Sequence, residues 1–586
     1  MSGEDTRTPT GDATRGTTEG TTEGTTNGPP GDTNRDANPD TTGGTTTSNS
    51  RLARHSAVMA GGSLVSRLLG VVRSSMIMAV FGRSLAGDAW AVANTLPNTV
   101  YLLLAGGVLN AVLVPQITKA EKNPDGGKDF VDRLLTLAIV GLLVVTLVCL
   151  AGAPLLVRVF SSDTWPEQQF ALSVAFAYIC MPAIFFYGIY TILGRVLNAR
   201  ERFGWFMWSP VLCNVVWIVG LGWFMQQHGR GVGSPGAYTA EMVWLLAGSL
   251  VLGVAAQALV LLVPLYRGGF RYTPRFGWRG VGLGSAGRVA VWTFAALVVA
   301  QLGLVVQSRV LTSVEHGDTG KLPYDQAFLL FMTPHGLITV SLVTALFTTM
   351  SRAASVKDLG SLRGSVVQGL TLTGIATVPI MIGTLVLGPY LTRIVFPGNT
   401  VQTTDAIGYV MMAMMLGLPA YGAFYVMQRA FFAMEDAKTP FFLQLVNTGV
   451  AAAIAVGCLW VPSEYRAVSV ALGQAVSNLA AALFAVIWLS RRLQGLPMAG
   501  VVRTTVRVTV ASLPAALAAL AVVWFSETFT AHGRLIALIA LAIGGTLFVL
   551  LYVVAARRMR VREIDSVLQP MLRRVRGARG RQQPAA

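Results

Sequence analysis

From about residue 56 the chain alternates long apolar runs with short polar gaps. The runs fall at approximately 57–81, 87–117, 133–160, 168–197, 205–227, 240–266, 284–310, 325–350, 361–388, 403–434, 439–461, 465–490, 503–525 and 533–556. A helix needs roughly 20 apolar residues to cross about 30 Å of hydrocarbon, and each run meets that length. The pattern therefore predicts an all-α polytopic membrane protein with about 14 transmembrane helices. Pro97, Pro182, Pro210, Pro334, Pro379 and Pro419 fall inside runs, as they do in transport helices that bend. Residues 1–55 read differently. They are rich in Thr, Gly, Asp, Asn and Pro, carry net negative charge and hold almost no large apolar side chains, which predicts a disordered acidic tail.

Composition agrees with the pattern. Of 586 residues, 53% are hydrophobic and 12% charged, against about a quarter charged in soluble domains. A soluble enzyme with one anchor is excluded. The net charge of +17 would suit a nucleic-acid binder, but the distribution argues against nucleic acid. Lys and Arg gather in alternate gaps: Lys119 to Arg133, Arg195 to Arg202, Arg267 to Arg288, Arg352 to Arg363, Arg429 with Lys438, and Arg491 to Arg507. The other gaps carry little beyond Arg83, Arg230, Arg309, Lys321, Arg393, Arg466 and Arg534. Positive residues stay cytoplasmic, so both termini are predicted inside and the span count even. The tail 557–586 is strongly basic and should meet anionic lipid at the inner leaflet.

A weak internal repeat divides the spans. Asp88 is followed nine positions later by Pro97, and Asp325 by Pro334. Arg195, Ala199 and Glu201 recur as Arg429, Ala433 and Glu435 at nearly the same lag. Two matches at a shared lag predict two parallel six-helix lobes, 56–280 and 281–495, followed by two additional helices in 496–556. Lobes of this kind can rock about a central cavity, which is transporter architecture.

Catalytic chemistry is not visible. There is no phosphate-cradling loop, no HExxH and no nucleophile elbow, and neither a metal nor a cofactor is expected. Cys149, Cys180, Cys213 and Cys458 lie in apolar runs without ligand spacing and read as buried thiols. Span 1 is different in kind. Gly62, Ser66, Gly70 and Arg73 share one helical face, and Ser63, Arg67 and Ser74 form its neighbour. An arginine near mid-bilayer costs about 2.5–3.5 kcal/mol on insertion scales, so such a face is expected to line the interior. Guanidinium groups present paired, permanently charged donors that suit phosphate oxygens. Each arginine is thus either an anion ligand or half of a structural ion pair. Asp88 is either the cap of its own helix or a charge partner for an arginine.

The runs SRLLGVVR (66–73), GDAWAVANTLPN (87–98) and GGVLNAVLVPQI (106–117) closely resemble the MurJ/MviN family of lipid II flippases, within the multidrug/oligosaccharidyl-lipid/polysaccharide exporter superfamily. The vocabulary is similar to that of a high-GC actinobacterial member. The resemblance implies a central cavity in which Arg67, Arg73 and Asp88 engage the pyrophosphate-linked sugar peptide, and a groove between the last two helices for the polyprenyl tail. Where relatives lead one to expect further charges, this chain has Thr95, Tyr101-Leu102, Gly106 and Leu329. Asn94, Asn98, Gln301, Gln307 and Arg309 are candidate cavity residues that would compensate. The implied partner is lipid II, in the cytoplasmic membrane. A flippase for another polyprenyl-linked glycan is one alternative; a non-transporting scaffold that recruits cell-wall synthesis or division proteins is another.

Overall fold

The structure, a computed structural model, describes residues 43–104, 128–199, 203–269, 271–276, 288–529 and 533–561. The chain divides into two units, Met1–Arg54 and His55–Ala586, and the packing below concerns the second. The long first helix, α1, covers Gly43–Phe81, so helix begins inside the stretch expected to be tail. The stretch 43–50 consists of weak helix formers, so this segment is helical as a continuation of the apolar span, without the cost of a separate nucleus, and not by its own propensity.

The described residues form helices linked by short turns. After α1 come α2 (Leu85–Leu103), α3 (Lys128–Ala151), α4 (Ala153–Phe160), α5 (Glu167–Cys180), α6 (Ala183–Ala199), α7 (Phe203–His228), α8 (Ala240–Leu259) and α9 (Leu262–Arg267). Then follow α10 (Arg288–Leu311), α11 (Lys321–Pro334), α12 (Val340–Ser355), α13 (Leu359–Val395), α14 (Val401–Met415), α15 (Leu418–Ala433), α16 (Lys438–Gly457) and α17 (Ser463–Arg492). The last pair is α18 (Met498–Phe529) and α19 (Arg534–Arg558). Among the described residues, twelve helices, counting gently broken ones as single, are long and apolar enough to cross a membrane; α14 and α15, bent by 46°, make up a thirteenth. The expected span at 87–117 is helical over α2, and 105–117 lie outside the described residues.

The prolines act unequally. Helices break at Pro182, Pro334 and Pro419, as expected, but run through Pro97, Pro210 and Pro379. Neighbouring helices can satisfy the carbonyl that a proline frees, which makes an unbroken span tolerable. At Pro334 the break is a π-helical turn, His335–Thr339, between α11 and α12.

Packing follows chain order. Helices α2 and α5 to α8 pack on one another; α10 to α17 form a second group; α18 and α19 pair and lie against α13. One buried apolar cluster runs through both large groups at a single end of the molecule, from Phe81, Trp90, Phe160 and Phe176 to Leu311, Tyr324, Phe396 and Val470. At the opposite end the groups have separate clusters. The first is built around Leu134, Leu197 and Leu265, and the second around Ala353, Leu362, Phe431 and Leu493. Ile375, Ile382, Val508, Ala515 and Phe548 form a fourth cluster that seats the last pair.

Candidate functional site

The polar faces of span 1 do not both look inward. Gly62 is buried against Trp208 of α7: a Cβ there would lie 2.9 Å from the indole Cδ1. Ser66 accepts from Asn214 Nδ2 through both its carbonyl (3.0 Å) and its hydroxyl (3.3 Å). Arg73 Nη1 donates to Asn214 Oδ1 at 2.8 Å, and its guanidinium carbon sits 4.2 Å from the Trp217 ring centroid. The face of small and polar residues is therefore largely a seam between α1 and α7, with Arg73 held by an amide and an indole. Its Nε is buried without a partner. A cation over indole contributes about 0.5–2 kcal/mol, which offsets part of the cost of the buried charge.

Arg67 lies on the neighbouring face and is exposed. Among the described residues no hydrogen bond or ion pair engages it. Its guanidinium lies against the π-helical turn of the second group: a Cβ built on Gly336 would be 2.7 Å from Nη1 and 3.5 Å from Cζ. With no side chain at Gly336, the guanidinium occupies the space over that turn. The two arginines expected to act together are thus separated in role by their surroundings, one packed and one free.

Asp88 is buried, 5% exposed, but it caps neither its own helix nor an arginine. Ser84 caps α2, accepting from the Gly87 backbone N–H at 3.1 Å. Asp88 Oδ1 instead accepts from the Leu322 backbone N–H at 2.9 Å, at the start of α11. The N-cap of α11 is Gly320, which has no side chain to offer. Its position could hold none, since a Cβ there would lie 2.0 Å from Asp88 Oδ2. A carboxylate from the first group thus serves as the cap for a helix of the second. Lys321, only 2% exposed, stays beside it through an ion pair with Asp325 at 2.9 Å.

Further bonds join the groups at this same end. Ser308 Oγ donates to the Phe160 carbonyl (2.7 Å), the Ser162 backbone N–H to Thr312 Oγ1 (2.9 Å), and Trp165 Nε1 to the Thr312 carbonyl (2.8 Å). Arg309, a candidate for the cavity, belongs here. It donates to the Arg158 carbonyl at 2.9 Å and pairs with Asp163, so it fastens α10 to the loop after α4.

The remaining candidates divide. Asn98, Gln301 and Gln307 line one cavity of about 500 Å³, together with Thr99, Tyr421, Tyr425, Gln428, Gln444, Asn447, Thr448, Gln474 and Asn478. Asn94, one turn before Asn98, is half-buried and does not line it. The cavity is bounded by α2 on one side and by α10, α11, α15, α16 and α17 on the other. No Asp, Glu, Lys or Arg is among its lining residues. Sequence reasoning missed most of these amides, although their signal was available. Gln444 with Asn447 and Thr448, Gln474 with Asn478, and Tyr421 with Tyr425 and Gln428 repeat at helical spacing, the test that singled out span 1.

Comparison with known proteins agrees with this architecture. The family model described as "Lipid II flippase MurJ" matches residues 77–544. The probable lipid II flippase MurJ of Vibrio cholerae serotype O1 is 24% identical over 406 residues, covering 67% of this chain and 75% of that protein. Among solved structures, a lipid II flippase MurJ in an inward closed conformation aligns with a TM-score of 0.67 at 19% identity, over 86% of this chain and 99% of that one. An inward-facing multidrug-resistance transporter of the MATE family, in the MOP superfamily, aligns with a TM-score of 0.61 at 13% identity, over 76% of this chain and 99% of that one. These structural likenesses establish a shared fold, and the family match, which spans most of the chain, establishes more: this protein belongs to the lipid II flippase MurJ family.

Proposed function

We propose that this protein carries lipid II, the undecaprenyl-pyrophosphate-linked peptidoglycan precursor, from the inner to the outer leaflet of the cytoplasmic membrane by alternating access. The observation that carries the reading is Arg67: a cation near mid-span, exposed, unpaired among the described residues and facing the second helix group. A guanidinium at that depth belongs in a water-filled cavity, where the partner it lacks is an anion that enters during the working cycle. A pyrophosphate, offering paired oxygens to a planar fork, is such an anion.

In this reading the two helix groups are the lobes 56–280 and 281–495, and the pair in 496–556 sits beside the second lobe. Both termini face the cytoplasm, as the alternation of basic loops supports. The end where Asp88 caps α11 is then the outer face, and the structure stands closed outside. The headgroup enters from the cytoplasm and meets Arg67 at Gly336 while the tail stays in lipid. Arg73 acts behind it, holding α1 to α7, and the basic tail 557–586 rests on anionic headgroups.

The test is growth of a strain depleted of its own lipid II flippase. Wild-type protein should restore growth and expose lipid II to an externally added probe. Arg67→Ala should restore neither at normal protein level, and full rescue by that variant would remove the role given to Arg67.

A further inference from the structure

Near the π-helical turn that Arg67 touches lies a cavity of different character. It has the volume of a small-ligand pocket, about 500 Å³, with walls rich in carboxamides and phenols and free of formal charge. Two buried wall atoms have no partner in the protein. Gln301 Oε1 and Thr99 Oγ1 are buried and unbonded, and Thr99 is only 8% exposed. Others are already oriented. Asn447 Nδ2 donates to Asn478 Oδ1 at 3.1 Å, and Gln474 Nε2 to the same oxygen at 3.2 Å, which fixes the direction of three amides at once.

Such a wall discriminates by chemistry. A phosphate would want guanidinium or ammonium donors there, and an organic cation would want a carboxylate; neither is present. Carboxamides both donate and accept, which suits hydroxyl and acetamido groups, and aromatic side chains add apolar surface for the C–H faces of a sugar ring. The cavity is also adjacent to the anion site. Tyr421 lines it and packs on His335 with ring centroids 4.5 Å apart, and the next residue, Gly336, is the one Arg67 lies against.

We propose that this carboxamide-lined cavity seats the uncharged amino-sugar part of the headgroup, so that Arg67 takes the pyrophosphate while Gln301, Gln474 and their neighbours read the sugars. The inference rests on the flippase reading above. It divides recognition by chemistry: charge is read by Arg67, and sugar identity by a wall drawn mostly from the second lobe and closed by Asn98 and Thr99 of the first. It also assigns the chain's reduced set of cavity charges a purpose, since a neutral wall cannot trap the phosphates in the wrong place.

The experiment compares two ligands that share a tail and a pyrophosphate and differ in the sugars. Binding of lipid II and of undecaprenyl pyrophosphate to the purified full chain is measured by native mass spectrometry, for wild type, Gln301→Leu, Gln474→Leu and Arg67→Ala. Gln301→Leu removes an oxygen that bonds nothing in the protein, so folding should be spared. The expected result is about a tenfold loss of lipid II binding in each glutamine variant, with undecaprenyl pyrophosphate binding unchanged. Arg67→Ala should weaken both ligands. Wild-type affinity for lipid II in both glutamine variants would overturn the sugar seat and leave the flippase reading standing, as would equal weakening of both ligands. Wild-type protein that binds neither ligand would overturn the flippase reading, and the sugar seat with it.

Discussion

Asp88 illustrates how a single carboxylate can tie two groups of helices together. A helix start leaves four backbone N–H groups without partners, and a side-chain cap contributes typically about 1 kcal/mol. Helix α11 has glycine where that cap belongs and receives an oxygen from α2 instead. Gly320→Ala would drive a methyl into Asp88 Oδ2, so it should part the two helix groups at this end and lower the thermal midpoint. Asp88→Ala removes the clash along with the cap. The double variant should therefore be no less stable than Gly320→Ala alone, a non-additivity that a thermal-shift cycle would register. Arg73 and Arg67 make the opposite contrast. Asn214→Leu would cost Arg73 a bond and Ser66 two, and with a buried guanidinium left short of partners should lose about 1–3 kcal/mol of stability. Arg67→Ala removes no bond inside the protein and should leave the melting midpoint unchanged while ending function. Equal stability losses in the two variants would contradict this division of labour.

The broken helices carry the next level of organisation. The span formed by α11 and α12 is interrupted after Pro334 by a π-helical turn, and Gly336 in that turn lies against Arg67. The contact there is with the far end of a flexible side chain, which can yield to a methyl group. Gly336→Ala should accordingly complement almost as well as wild type, whereas Gly336→Met would occupy the space of the guanidinium and should fail at normal protein level; complementation by both variants would show that Arg67 needs no access at this turn. Most of the apolar spans, the breaks at Pro182, Pro334 and Pro419 and the oddity of span 1 were legible in the sequence, because each is a local signal of length, hydropathy or spacing. The start of α1 at Gly43 and the unbroken helices through Pro97, Pro210 and Pro379 were not. The rest of what was not legible is nonlocal. Asp88 lies 234 positions before its Leu322 partner, and Arg309 is 146 positions from Asp163. Nothing near Ser66 or Arg73 announces Asn214. The amide wall was partly legible: Asn98, Gln301 and Gln307 stood out, and their companions on α15, α16 and α17 repeat at helical spacing, but that they face one another across a single cavity is nonlocal.

At the scale of the whole molecule, the question is how two groups of helices can be joined firmly enough to close and weakly enough to open. Within hydrocarbon there is little hydrophobic force between helices, so closure relies on packing and on hydrogen bonds. The closed end has a shared apolar cluster and a handful of cross-group bonds, through Asp88, Ser308, Thr312, Trp165 and Arg309. Each such bond contributes about 0.5–1.5 kcal/mol net. Moving a two-state equilibrium from 1:99 to 99:1 takes about 5.5 kcal/mol, so binding that favours the other state can outweigh a set of this size. Losing one or two bonds should tilt the balance without ligand. A cysteine at Gln444, in the cavity wall, reports the tilt in a background where the four native cysteines are replaced. In otherwise wild-type protein an impermeant maleimide should reach it from the cytoplasmic side and hardly at all from outside. Adding Asp88→Ala and Thr312→Val removes the Leu322 cap and the Ser162 bond, and labelling from outside should rise several-fold. If the unaltered protein is instead labelled from outside only, the end closed by Asp88 faces the cytoplasm, and the direction of transport drawn from the loop charges is reversed.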